Sequence, residues 1–202
     1  MYTSLVIVDD FLDNAEALRE AGLGLTYPDQ QGNFPGRNSV ERINIDGLEQ
    51  QVSKLLGEPL VPMPPTESHA KFRLTLAADK GTAKVHIDRA HWSGILYLSR
   101  PEDCQGGTQF FRHKRTNTDR APVNDRELAA LGYSSQEEMY RDIIKKDTNN
   151  DDAWEPTMQV PMRFNRLVLL RPWLWHTAGK AFGDTPENAR LVYLMFFASA
   201  VR

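Results

Sequence analysis

Apolar positions fall into two regimes along the chain. Ahead of residue 70 they recur mostly at helical intervals; from Ala70 they alternate. The run LVIV at Leu5–Val8 reads as a short strand, and NAEALREAGLGL behind it reads as a helix. There Leu18, Ala21 and Leu25 keep helical spacing, Asn14 stands at the cap position, and Gly22 and Gly24 end the helix before Leu25. TYPDQQGNFPGRNSV is turn-rich, punctuated by Pro28, Gly32, Pro35 and Gly36. IDGLEQQVSKLLG predicts a second amphipathic helix with Leu48, Val52, Leu55 and Leu56 on one side.

In AKFRLTLAA, Phe72, Leu74 and Leu76 alternate with Lys71, Arg73 and Thr75, the pattern of a half-buried strand. Further short strands are expected at AKVHID, SGILYLS, GTQFF, NRLVLLR and RLVYLMFFAS. Short strands separated by Gly, Pro and Asp turns predict an α+β, mainly β fold, a sandwich or small barrel preceded by helices. One domain is expected over 1–202, with a helical lead-in (1–69) and barrel strands at 70–112 and 163–202. Residues 113–162 break the pattern. NDRELAALGY reads as a short helix ending at Gly132, and SSQEEMYRDIIKK as another, with a Ser135/Glu138 capping box and Met139, Ile143 and Ile144 turned inward. DTNNDD lacks the glycine and distal glutamate of a calcium loop and reads as a solvated turn. The whole stretch is expected to be a helical insertion, or lid, at the barrel mouth.

Composition narrows the classes. A chain of 202 residues, 41% hydrophobic and 25% charged, is long enough for one substantial core. Its net charge of -3 gives no electrostatic case for nucleic acid or an anionic membrane surface. No apolar run approaches the ~20 residues of a membrane span. The acidic start has no signal-peptide pattern, so a cytoplasmic location is expected. Cys104 is the only cysteine, which excludes an intrachain disulfide and a thiolate zinc cluster.

Chemistry concentrates in KVHIDRAHW. Residues two apart on a strand share a face, so His86 and Asp88 present an imidazole and a carboxylate to one point. Two histidines and one carboxylate on one face of a metal leave positions open, the arrangement of non-haem iron oxygenases. Of the remaining histidines, His69 precedes the first barrel strand, His91 follows Asp88 in a turn, and His113 starts the insertion. His176, closing NRLVLLRPWLWH after an apolar strand, suits the third ligand. Arg190 opens an otherwise apolar strand and calls for an anionic partner, because guanidinium pairs with carboxylates in bidentate geometry and stays charged. Trp92, Trp173 and Trp175 are placed either at a pocket mouth or in the core; Lys114, Arg115 and Arg120 are read as a solvated face.

The residues HID at His86–Asp88, ILYLSRPEDCQGGTQFF, FNRLVLLRPWLWHTAG and Arg190 together resemble the iron(II)- and 2-oxoglutarate-dependent dioxygenases, specifically their prolyl-hydroxylase-like branch. The resemblance covers about Phe72 to Phe197 apart from the insertion. It implies a double-stranded β-helix (a cupin-like jelly roll), iron held by His86, Asp88 and His176, and Arg190 on the distal carboxylate of 2-oxoglutarate. It also implies an activity consuming 2-oxoglutarate and O2, releasing succinate and CO2, and hydroxylating a C–H bond. The Asp88 carboxylate argues against the halogenating variants. Leu76 stands where many prolyl hydroxylases carry a tyrosine, and the His176–Arg190 spacing is longer than usual in that branch. A second 2-oxoglutarate contact is therefore open among Tyr97, Thr75 and Ser99, and peptidyl proline is not specifically implied. The substrate class implied is an amino acid, peptide or protein side chain. Base demethylation fits poorly, since LVYLMFFASAV lacks the second arginine of those relatives. The competing readings are a non-catalytic binding module and a cupin-like metal protein with another reaction.

Overall fold

The computed structural model describes residues 2–29, 32–65 and 67–201. Gln30 and Gln31 of the turn-rich stretch lie outside the described residues, as do Met1, Thr66 and Arg202. The elements run β1 (Leu5–Val8), α1 (Ala15–Leu23), β2 (Arg37–Asn38), α2 (Leu48–Leu56), β3 (Leu60–Pro62), β4 (Lys71–Thr75), β5 (Trp92–Tyr97) and β6 (Gly107–His113). They continue with α3 (Asp125–Ala130), α4 (Gln136–Met139) running into a π-helical turn (Tyr140–Lys145), β7 (Trp154–Pro161), β8 (Leu167–Leu170), β9 (His176–Thr177) and β10 (Arg190–Ser199).

Among the described residues the strands form two antiparallel sheets. The larger has the order β1-β8-β5-β10-β4-β2, with β3 also paired to β10, and the smaller β7-β6-β9. β10 is the axis of the larger sheet. Its residues alternate between two cores: Leu191, Tyr193, Met195 and Phe197 pack with Leu18 of α1 and with Leu48 and Val52 of α2. Val192, on the other face, packs with Phe110 of β6 and Val160 of β7. That two-sided burial explains the near-continuous apolar run of β10. The result is three layers, helices on the large sheet and the large sheet on the small one.

Several expectations are corrected here. Asn14 precedes α1, but its side chain makes no capping hydrogen bond. AKVHID is not a regular strand: His86 forms an isolated bridge with His176, and Asp88 N donates to Pro172 O. Residues 154–161 of the expected insertion form β7, paired along β6. Every β7 residue but Trp154 and Val160 is exposed, so the strand carries no apolar alternation to betray it.

The helical stretch buries Met139, Ile143 and Ile144 against Phe111, Trp154 and Trp175. The Ser135 hydroxyl caps α4 by accepting from Glu138 N, while the Glu138 carboxylate reaches Ser134 N. The buried His113 ties this stretch to β6 through Asp147 (Nε2–Oδ2 3.1 Å). Thr148 fastens the segment before His86, accepting from Lys84 N and donating to Val85 O. Arg115 pairs with Asp142 and Arg120 with Glu127, so these two basic side chains are satisfied internally, while Lys114 is exposed.

Two outcomes follow. Burial pushes His113 below its ordinary 6.5, with Asp147 only partly opposing. The unfolded chain therefore binds a proton that the fold resists, and the stability from neutral His113 is complete above about pH 6.5 and is lost as pH falls below it. Between about pH 7.5 and 5.5 the thermal midpoint should fall further in the wild type than in His113→Gln. Gly179 adopts φ +81°, and a Cβ there would meet Gly107 O at 2.0 Å. Gly179→Ala should lose about 2 kcal/mol or more in denaturant unfolding, since both strain and a clash oppose it.

Candidate metal and anion site

A cavity of about 320 Å³ has His86, Asp88, His176, Arg73 and Arg190 in its wall. One ligand atom from each of His86, Asp88 and His176 lies within 4.8 Å of the others. His176 Nε2 is 3.4 Å from Asp88 Oδ2, and His86 Nε2 is 3.8 Å from Asp88 Oδ1. The two histidines come from chain segments far apart in sequence, joined by a reciprocal pair of backbone hydrogen bonds, His86 N to His176 O and His176 N to His86 O.

The surroundings settle which imidazole nitrogen is free. His86 Nδ1 donates to Lys84 O at 2.9 Å, and His176 Nδ1 to Leu174 O at 2.7 Å. Each Nε2 is therefore the nitrogen that faces Asp88, and it is the one that would carry the ligating lone pair with a metal bound. Ser93 Oγ donates to Asp88 Oδ2 at 2.8 Å and orients the carboxylate. Burial pushes His86 down to about 4, helped by His176 and opposed by Asp88. Burial alone would raise Asp88, but the His176 hydrogen bond and the two imidazoles outweigh it and hold the carboxyl at about 2. Burial also depresses His176, yet its bond to Asp88 carries the net shift upward. Two imidazoles and an ionised carboxylate thus converge on one point.

Arg190 is buried, 3% exposed, and its Nε has no hydrogen-bond partner. Among the described residues no acidic side chain pairs with it. Burial lowers its pKa, and the nearby Tyr97 phenol opposes that shift. Arg73, missed in the sequence, also faces the cavity from β4. Its guanidinium donates to Pro35 O (2.9 Å), Asn38 Oδ1 (2.7 Å) and Phe34 O (2.6 Å), which fixes the loop ahead of β2. Burial, then Arg190, brings Arg73 down to about 10, with Asp79 opposing. The Phe34 ring is held 4.0 Å from the His86 ring.

The other expected contacts are placed as follows. Tyr97 is buried, and its hydroxyl is bound to Thr108 Oγ1 (2.7 Å) and Thr108 N (2.9 Å), outside the cavity wall. Thr75 stands opposite Arg190 in the β4–β10 register and lines a neighbouring cavity. Ser99 is a correction: its hydroxyl donates to Ala189 O and accepts from Leu191 N, bracing the backbone on both sides of Arg190. Trp92 and Trp175 are fully buried in separate cores, with Arg171 stacked 4.0 Å over Trp92. Neither they nor Trp173 line the cavity. The insertion contributes no residue to it, and only Asn149 to the neighbouring cavity. His91 is bound to Glu58 at 2.7 Å, and His69 lies buried against Phe197. Phe34 and Ser93 were legible in principle, one in the NFPG turn and the other five residues after Asp88.

A family described as "Family of unknown function (DUF6445)" matches residues 2–197. Among solved structures the chain is similar to HygX from Streptomyces hygroscopicus with nickel, 2-oxoglutarate and hygromycin B bound. That match has 13% identity and a TM-score of 0.54, covering 98% of this chain and 84% of the other. A prolyl hydroxylase from Trichoplax adhaerens, in complex with a hypoxia inducible factor peptide fragment, matches at 12% identity and TM-score 0.52 over 97% and 84%. The 2-oxoglutarate-dependent carbocyclase SnoK from nogalamycin biosynthesis matches at 16% and 0.52 over 98% and 80%. These likenesses show that the chain shares the fold of these three proteins. A sequence relative, the outer membrane protein assembly factor BamE of Xanthomonas campestris pv. campestris, is 44% identical over 120 residues, 57% of this chain and 78% of the relative.

The donor set gives a graded prediction. His86→Ala should abolish cobalt(II) binding in calorimetric titration, whereas Ser93→Ala should weaken it by about tenfold or more by freeing the Asp88 carboxylate. Equal affinity in all three proteins would place the metal elsewhere.

Proposed function

The chain belongs to DUF6445, and we propose that it is an iron(II)- and 2-oxoglutarate-dependent dioxygenase hydroxylating a C–H bond of an amino acid, peptide or protein side chain. The observation that carries this reading is the pairing of a His86–Asp88–His176 cluster with a buried, partnerless Arg190 in one cavity. A buried guanidinium without a counter-ion is costly, and an anion bound there removes the cost. The residues fit iron(II) and 2-oxoglutarate. Two Nε2 atoms and an ionised carboxylate suit iron(II) with open positions, and Arg190 suits the distal carboxylate of 2-oxoglutarate. When bound, iron with 2-oxoglutarate and O2 supplies oxidative decarboxylation to succinate and CO2, coupled to insertion of oxygen into the substrate.

The protein's own work is positional. Lys84 O and Leu174 O hold the imidazole protons, so neither ring reorients during turnover. Ser93 fixes Asp88, and Ser99 fixes the strand start carrying Arg190. Ile95, Leu194 and Phe196 line the cavity with apolar surface that limits water around the reacting groups. We read the two sheets as halves of a double-stranded β-helix, and the YL and GGT-x-F motifs support the prolyl-hydroxylase-like branch. Among the described residues no helix is long and apolar enough to cross a membrane; a cytoplasmic site of action accords with the lone Cys104. The role named for the outer-membrane relative does not account for a buried arginine beside a metal-ligand cluster.

The test is succinate formation from 2-oxoglutarate with iron(II) in air. The wild type should form succinate, and His86→Ala and His176→Ala should not. Arg190→Ala should raise the KM for 2-oxoglutarate about 100-fold, the loss of a buried charge pair. Succinate at no more than the His86→Ala level, with 2-oxoglutarate still bound, would favour the non-catalytic module.

A further inference from the structure

Arg190 is reached from two sides. Beside the triad cavity lies a second one of about 460 Å³, and Phe34, Ala178 and Arg190 line both. His86, Asp88 and His176 belong only to the first. The loop carrying Phe34 stands between them, beside the shared Ala178 and Arg190. Ala83 N donates to Asn33 O at 2.7 Å, and a Cβ on Gly81 would come within 2.7 Å of Asn33 and Pro35. The Phe34 loop is therefore held from the Gly81–Ala83 side as well as by Arg73, and the surface common to both cavities beside it is that of Ala178 and Arg190.

The two walls differ in charge. The first mixes Glu67 and Asp88 with Arg73, Arg89 and Arg190. The charged residues of the second are Asp79, Lys80, Lys84, Lys180 and Arg190. Asp79 is engaged by Leu76 N and Arg37, and Lys84 pairs with Asp151. Lys180 donates to the neutral Gln105 at 2.6 Å, and Lys80 is exposed with no ion pair among the described residues. Lys80, Lys180 and Arg190 thus remain as positive charges without an acidic partner, two at the surface and one buried. A low-dielectric cleft lined by one sign of charge concentrates the opposite ion and raises its rate of entry.

We propose that the second cavity is the entry port for the dicarboxylate, so that 2-oxoglutarate arrives from the lysine side and extends past Arg190 to the triad, while the substrate approaches from the triad side. This rests on the reading of Arg190 as the dicarboxylate anchor. It makes cosubstrate and substrate approach by different routes, so a bulky substrate over the triad need not be excluded by prior 2-oxoglutarate binding or the reverse.

The experiment is anaerobic stopped-flow association of 2-oxoglutarate with the iron(II)-loaded protein at low ionic strength, followed by the visible absorption of the chelate. The double variant K80E/K180E should slow association about tenfold, with dissociation little changed and the salt dependence flattened. K80Q/K180Q should give a smaller slowing in the same direction. R89E, reversing a cation on the triad side, should leave the association rate within about twofold. The proposal is overturned if R89E slows association and the lysine variants do not, or if all variants match the wild type. No 2-oxoglutarate binding by the wild type would overturn the dioxygenase reading itself, and this proposal with it.

Discussion

The uncompensated charge of Arg190 is the constraint around which the site is organised. A guanidinium beneath the surface, with its Nε unbonded, is tolerated only where the surrounding structure forces it or a ligand repays it. Here the structure does force it. Arg190 begins β10, the strand that pairs with β3, β4 and β5, so its position is set by a strand hydrogen-bonded to three others. Ser99 bonds the backbone on either side, removing the freedom to turn the side chain outward. The same strand alternation that buries Leu191 and Tyr193 under the helices directs Arg190 and Val192 between the sheets.

The metal-ligand cluster is held by a different means. His86 sits in no regular strand, and its placement comes from one reciprocal bridge to His176 and from Thr148 gripping the two residues before it. The helical stretch is thus a buttress behind the site. Its apolar side chains pack on Trp154 and Trp175, and its polar ties reach the backbone leading into His86. Damage there would reach the ligands through position, with no contact to the cavity.

Much of this was legible in the sequence, and the failures have physical causes. β10 and β8 were readable because strands buried on both faces are apolar throughout, and His86, Asp88, His176 and Arg190 were readable because each is chemistry that an apolar context does not need. β7 escaped because an exposed edge strand shows no alternation. Arg73 was assigned to a solvent face because a binary pattern does not distinguish water outside the fold from a polar cavity within it. Ser99 was misread for a related reason: a hydroxyl in an apolar strand signals a hydrogen bond, without saying whether to ligand or to backbone. The tryptophans near the ligands in sequence fill cores, since large aromatic rings are first of all apolar volume.

The central claim is that one cavity holds a metal on His86, Asp88 and His176 and a dicarboxylate on Arg190. A crystal structure with manganese(II) and 2-oxoglutarate, phased with the metal's anomalous signal, tests it most directly. The account predicts manganese bound by the two Nε2 atoms and the Asp88 carboxylate, chelated by one end of 2-oxoglutarate while the other forms a salt bridge with Arg190. Manganese bound elsewhere, or Arg190 satisfied by a protein side chain with no dicarboxylate beside it, would contradict the account.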